Sequence, residues 1–329
     1  MGRPFEVAVV GARRKRQGTG EYVAREFANR GCNVRAIVGT TPDTIAMARR
    51  DLKQRYGIEC DGYLSLPVLL AAQTIDVVAI CSPAEVHLRD LEVAVEAGCH
   101  IFCEKPMWWS FETATDSEAR AEIHRRATSL VDRCIQKDRF LALNTQWPFT
   151  LPAFRQLHPG AYGKDRPVRS FSMWLSPVSR GVPMMVDAAP HLLSMLQALL
   201  GPGRLQNIDT EFQDLPGLGA RAQGLITLNY MHDEGQTHVT FKLRRCPEVP
   251  RPAGYGINGA CVERHIEPSN YMISFENEGQ RVPVRDPLAI CVEHFVDAMR
   301  TRRQPNRTSL VDGMTQLHGL VAAAVSREQ

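Results

Sequence analysis

Three residues have the type and setting that reaction chemistry needs: Lys105, Asp187 and His191. Lys105 stands between Glu104 and Pro106, directly after the apolar run Cys99–Cys103, where a buried strand is expected. Only six of the 39 basic residues are lysines (Lys15, Lys53, Lys105, Lys137, Lys164 and Lys242), so an ammonium here is an uncommon choice for this chain. A flexible ammonium can serve chemistry that a fixed guanidinium serves poorly. Pro106 biases residue 105 toward extended geometry, which ends the strand and turns the side chain into the cleft. Asp187 and His191 are four residues apart, so on a helix they share a face. With Asp187 as N-cap, Pro190 falls in the first turn at no cost in hydrogen bonds. His191 then lies near the positive end of the helix dipole, which favours the neutral imidazole of a general base.

A second cluster lies near the N-terminus. The run Val7–Val10 ends at Gly11, and the chain continues Ala-Arg13-Arg14-Lys-Arg-Gln-Gly18-Thr19-Gly20 into a helical pattern. A strand, a glycine turn and a helix N-terminus offer free amides to a pyrophosphate. Gly11, Gly18, Thr19 and Gly20 are the expected close-approach positions, although the glycine spacing is wider than the usual fingerprint. Arg13 and Arg14 belong to an inserted basic loop that reads either as a solvated surface or as a contact to a cofactor phosphate. After the second strand comes Gly39-Thr40-Thr41-Pro42-Asp43, with no acid at the place where a carboxylate would hold the ribose hydroxyls of NAD. That favours NADP over NAD, with the 2′-phosphate bonded by Thr40 and reached by Arg13 or Arg14. Thr41 reads equally as a helix N-cap followed by Pro42, and Asp43 as a dipole partner. Ser82, Pro83 and His87 follow another buried run, Asp76–Ile80, and are candidates to approach the cofactor.

These residues need a scaffold that brings strand ends together. The 329 residues suggest about two domains. The first ~145 residues alternate short β-branched runs (5–10, 34–38, 76–80, 99–103, 140–143) with helical patterns, which predicts an α/β, doubly wound parallel unit. Beyond Trp147-Pro148 come longer alternating segments near 167–175, 222–231, 236–244, 258–266 and 270–276, with helices at 187–200, 287–302 and 309–326. They predict an α+β unit with a mainly antiparallel open sheet. The expected division is residues 1–147 and 148–329, with the terminal helices free to pack back on the first domain.

Composition excludes several classes. Hydrophobic residues are 44 %, charged residues 23 % and the net charge is +3, which argues against disorder and against a nucleic-acid or membrane-surface protein. Nine cysteines without a C-x-x-C pair or nearby paired histidines predict no metal site and no disulfide framework. With no signal-like N-terminus and no apolar run of ~18 residues, a cytoplasmic protein is expected.

The block Glu104-Lys105-Pro106, preceded by Cys81-Ser-Pro-Ala-Glu-Val-His87 and followed by Asp187-Ala-Ala-Pro-His191, resembles the Gfo/Idh/MocA oxidoreductases, the family of glucose–fructose oxidoreductase and inositol dehydrogenase. The resemblance implies a Rossmann domain carrying NAD or NADP, and a second domain whose open sheet forms homodimers or homotetramers. It implies hydride transfer to or from the secondary alcohol, carbonyl or imine carbon of a sugar, a cyclitol or a modified biosynthetic intermediate. It places Lys105 between nicotinamide and substrate, often before a cis proline, with His191 as acid or base. Such an oxidation needs a base and a cation at the reacting oxygen, and Asp187 completes the catalytic set. Glu104 is expected to position the lysine or to bind nicotinamide or substrate. Asn144, Gln146 and Trp147 are expected to line the substrate, where many family members carry an arginine. The segment Arg180–Val186 replaces the usual glycine-rich stretch, and Trp147, Met184 and Met185, with Trp108 and Trp109, suggest a cleft less polar than one for a free polyol. A non-catalytic dinucleotide-binding regulator and a redox-neutral enzyme with retained NAD are the alternatives.

Overall fold

The computed structural model describes residues 3–13, 18–267, 271–302 and 308–326. Two compact units emerge. One comprises residues 1–110, 121–144 and 288–311, the other residues 111–120, 145–287 and 312–329.

The first unit is built on β1 (Glu6–Val10), α1 (Gly20–Asn29), β2 (Asn33–Val38), α2 (Pro42–Tyr56), β3 (Asp61–Tyr63), α3 (Leu66–Ala72), β4 (Val77–Ile80), α4 (His87–Glu96) and β5 (His100–Cys103). After α5 (Phe111–Thr115) and α6 (Ser117–Gln136), β6 (Leu141–Leu143) completes an all-parallel sheet of order β3-β2-β1-β4-β5-β6. That order reverses between β1 and β4, which is where open α/β sheets bind ligands. Val7 to Val10 and Val77 to Ile80 are buried at every position, as strands covered by helices on both faces must be. The predicted parallel runs match five strands; β3 escapes notice because Asp61-Gly-Tyr63 is short and polar. Thr41 caps α2 by accepting from the Thr44 amide at 3.2 Å, with Pro42 next and Gly57 in the left-handed region (φ 67°) at its end.

The second unit holds α7 (Leu151–Leu157), β7 (Ser170–Leu175), α8 (Val182–Leu200), β8 (Gly203–Leu215), β9 (Gly219–His232), β10 (Gly235–Arg244), β11 (Gly254–Ile257), β12 (Ala260–Ile266), β13 (Ile273–Asn277) and β14 (Gln280–Val284). These strands form one sheet of order β14-β13-β12-β11-β7-β10-β9-β8. It is antiparallel except where β10 runs parallel to β7, pairing Val239 with Phe171. Its faces differ by strict alternation: Val239, Phe241 and Leu243 are buried, while Lys242 and Arg244 point out. Helices α9 (Pro287–Thr301) and α10 (Thr308–Ser326) close the chain. Three strands were not foreseen. β8 is largely polar, β11 is Gly-Tyr-Gly-Ile and reads as a turn, and β14 carries Pro283 at the sheet edge.

One predicted boundary is overturned. Asp187 does not cap its helix: α8 begins at Val182 after Gly181 (φ 61°), with Pro183 in its first turn, and Pro190 sits inside it. The apolar run Val182-Pro-Met-Met-Val186 extends the buried stripe backward, and Met184 and Met185 are core residues. His191 therefore lies well within the helix, and the argument from the helix dipole does not apply to it.

Candidate active site

The carboxyl ends of β1, β4, β5 and β6 gather the first group of predicted residues. Gly11 follows β1 with φ 81°, and a Cβ there would meet the Cys81 carbonyl oxygen at 2.8 Å and the Ser82 nitrogen at 2.9 Å. Gly20 opens α1 so close to the turn that a Cβ would lie 2.4 Å from the Gly11 carbonyl oxygen. Both positions need glycine for close approach of backbone to backbone. Gly18 and Thr19 lead into α1, with Thr19 at its N-cap position. Arg13 is partly exposed. Arg14, with Lys15 and Arg16, lies outside the described residues.

Glu104 follows β5 and is the hub of this end. Its Oε1 accepts from Thr19 Oγ1 at 2.6 Å and from Asn144 Nδ2 at 2.6 Å, so one carboxylate oxygen ties the nucleotide loop to the end of β6. Asn144 is buried, and its own amide donates to the Cys103 carbonyl at 2.8 Å. Lys105 comes next, partly exposed, joined to Pro106 by a cis peptide bond. His87 is closed off from solvent, with Nδ1 3.0 Å from the Pro106 carbonyl oxygen and Nε2 2.7 Å from that of Ser82. Its ring is thus committed to the turn at Pro106, after β5, and the turn at Ser82, after β4. The Ser82 hydroxyl donates to Asp90 at 3.2 Å, and Pro83 precedes a short 3-10 turn, Ala84–Val86.

Burial, then the nearby Glu104 charge, pushes the Cys81 and Cys103 thiols well above their ordinary value. Neither thiol supplies a thiolate at neutral pH. At the end of β2, Thr40 is exposed, and the Thr41 hydroxyl is engaged in the capping of α2. Among the described residues no cluster of histidine, cysteine and carboxylate side chains could hold a metal, and all nine cysteines are free.

The second unit brings its own group together. Asp187 and His191 are partly exposed on α8, one helical turn apart. Trp147 begins a 3-10 turn (Trp147–Thr150) just after Gln146 and is buried, its ring 6.3 Å from that of His191, 6.1 Å from Tyr255 and 6.0 Å from Phe275. The Thr150 hydroxyl lies 3.1 Å from the Tyr255 hydroxyl, and burial raises Tyr255 above its ordinary range. The indole of Trp147 also carries the Arg264 guanidinium over its face at 5.5 Å. Sequence reading passed over Arg264. The signal was present, since Arg264 is two residues from Val262 on β12 and shares its covered face. Of the other expected cleft residues, Met184, Met185 and Trp109 are buried as packing, and Trp108 Nε1 donates to the Glu85 carbonyl at 3.2 Å.

Several known proteins are similar to this chain. An uncharacterised oxidoreductase, YrbE, of Bacillus subtilis (strain 168) is 44 % identical over 62 residues, 19 % of this chain and 18 % of that protein. The D-glucoside 3-dehydrogenase of Escherichia coli (strain K12) is 31 % identical over 105 residues, 31 % of this chain and 27 % of that protein. The chain thus spans about a fifth to a quarter of the length of these curated relatives. The fold matches that of GenD2 from gentamicin A biosynthesis, solved in complex with NAD, with a TM-score of 0.71, 17 % identity and coverage of 100 % of this chain and 95 % of that one. Residues 5–130 match the model of the Gfo/Idh/MocA oxidoreductase family, NAD-binding Rossmann fold. Over those residues, which include Gly11 and Gly20 at the nucleotide turn and Lys105 at the end of β5, the chain is similar to the Gfo/Idh/MocA oxidoreductases.

Proposed function

We propose that the protein is an NAD(P)-dependent dehydrogenase acting on a secondary hydroxyl or carbonyl carbon of a sugar or cyclitol. The observation that carries this reading is the Glu104-Lys105-Pro106 turn, whose carboxylate is bonded to both Thr19 of the nucleotide loop and Asn144 just after β6. A dinucleotide fits the residues present, because the cradle at Gly11 and Gly20 is one that a Cβ would fill. Gly11, Gly18, Thr19, Gly20, Ser82 and Pro83 would hold it, and His87 positions the turns around them. When bound, the nicotinamide supplies the hydride acceptor or donor. Lys105 orients the substrate oxygen, His191 moves the hydroxyl proton, and Asp187 completes the polar face of α8. Asn144, Gln146 and Trp147 belong to the substrate side.

NADP is the favoured cofactor. Supporting this, the end of β2 offers Gly39 and Thr40 with no carboxylate before Asp43, which is in the first turn of α2. A second copy of the chain is the proposed partner of the outer face of the eight-stranded sheet, and nine free cysteines support a reducing, cytoplasmic location.

The test is titration with NADH and NADPH by nicotinamide fluorescence, then turnover of a polyol and ketone panel. Lys105→Ala should leave cofactor affinity within a few-fold while kcat falls by ~10²-fold or more; unchanged turnover removes Lys105 from the mechanism. Arg13→Ala should weaken NADPH more than NADH, and equal weakening of both overturns the NADP assignment.

A further inference from the structure

Arg264 occupies a place that an arginine rarely holds without a counter-ion. It lies on the covered face of β12, its Nη2 donates to the Arg251 carbonyl at 3.0 Å, and its guanidinium rests on the Trp147 indole. Its Nε is sealed from solvent and meets no acceptor among the described residues. The charged group that acts on it is another guanidinium, that of Arg251, and burial with this repulsion brings Arg264 down to about 10 from its ordinary value. It still carries its charge at neutral pH. A desolvated cation facing a second cation, with no carboxylate paired to it among the described residues, is costly to the fold. Stacking on Trp147 returns part of that cost. Residues that cost stability in this way cluster where a ligand completes the arrangement.

Next to this cation stands Trp147, whose ring is also beside His191. The geometry points to Arg264, with Arg251 behind it, as the receptor for an oxyanion carried by the substrate, so that the protein acts on an acidic sugar or cyclitol rather than a neutral one. This rests on the reading of the second unit as the substrate domain. A guanidinium offers paired N–H donors that match a carboxylate or a phosphate edge. Both sources share that chemistry, and the test separates them. Trp147 fixes the plane of the guanidinium.

The full chain is titrated by calorimetry with D-glucose, D-glucuronate and D-glucose 6-phosphate, in buffers free of phosphate and carboxylate. One of the two anionic sugars should bind roughly tenfold or more tightly than glucose, and which one does so names the anion. Arg264→Gln should abolish that difference and leave NAD(P)H affinity unchanged. Arg264→Met is the second variant: removing a largely desolvated cation with no carboxylate partner among the described residues should leave its melting temperature equal to or above the parent's, whereas a structural arginine would melt lower when removed. Equal affinity for neutral and anionic sugars, an anion preference that survives Arg264→Gln, or a marked loss of stability in Arg264→Met each overturns the proposal. Loss of NAD(P)H binding by the parent chain would instead overturn the dehydrogenase reading, with Arg264-dependent anion binding still scored on its own.

Discussion

At the scale of single residues, the site depends on polar groups whose partners fix them. Glu104 is the best example, since one oxygen accepts from Thr19 and Asn144, residues 85 and 40 positions away. Its role in holding the turn follows from those contacts, and spacing in the sequence could not supply it. His100 shows the same dependence on environment. Burial first, and Arg139 second, hold its imidazole down at about 4, while the Phe140 amide donates to its Nδ1 at 3.1 Å and its ring stacks on that of Phe140. The folded value is depressed below the ordinary 6.5, so between about 4 and 6.5 the unfolded chain binds more protons. Stability contributed by His100 is therefore full above pH 6.5 and declines as the pH falls toward 4. The melting temperature should drop between pH about 7 and about 5, and His100→Asn should flatten that profile while lowering stability at neutral pH. A variant with a profile as steep as the parent's would assign the acid sensitivity to other groups.

At the scale of elements, the first strand, turn and helix show how close approach outweighs propensity. Alanine is favoured over glycine inside a helix by about 1 kcal/mol, so Gly20→Ala would stabilise α1 if space allowed. The Gly11 carbonyl oxygen, 2.4 Å from where the Cβ would stand, forbids it. Gly20→Ala should lower the melting temperature and weaken NAD(P)H binding by tenfold or more, both read on the same preparation; a gain in stability would show that the turn can open at no cost. Helix α8 teaches the converse lesson. Its start was misplaced because Asp187 before Pro190 reads as a cap, a strong local signal. The apolar residues Val182, Met184 and Met185 found a buried face to pack on and carried the helix five residues further back, with Pro190 inside it. Packing of an apolar stripe thereby outweighed a proline within the helix.

At the scale of the whole molecule, one face of the eight-stranded sheet presents exposed side chains such as Lys242 and Arg244. A groove of about 760 Å³ on that face is lined by Trp174, Leu225, Lys242, Arg244 and Cys246 among others, and Leu225 is an exposed large apolar residue. Such a surface fits coverage by a second copy of the chain. Leu225→Glu should shift the protein toward monomer in sedimentation velocity without lowering NAD(P)H affinity; a parent that sediments as a monomer at micromolar concentration removes the proposed partner. Among the described residues no helix is long and apolar enough to cross a membrane.

Five of the six parallel strands and the positions of Gly11, Gly20 and Lys105 were legible in the sequence alone, because buried parallel strands write continuous apolar runs and helix starts write local caps. The sequence also determined that Asp187 and His191 share a helix face, since four residues make one turn whatever the helix start. The rest arose from long-range packing. Strands β8 and β11 exist through pairing with neighbours rather than through their own composition, with Gly254 and Gly256 admitted where a side chain would collide with Trp174 and Ser172. The hub at Glu104 and the cation at Arg264 are long-range facts of the same kind, because desolvation and hydrogen-bond partners arise from residues far apart in the chain. A charge acquires its chemistry from what surrounds it, and that is settled only when the chain has folded.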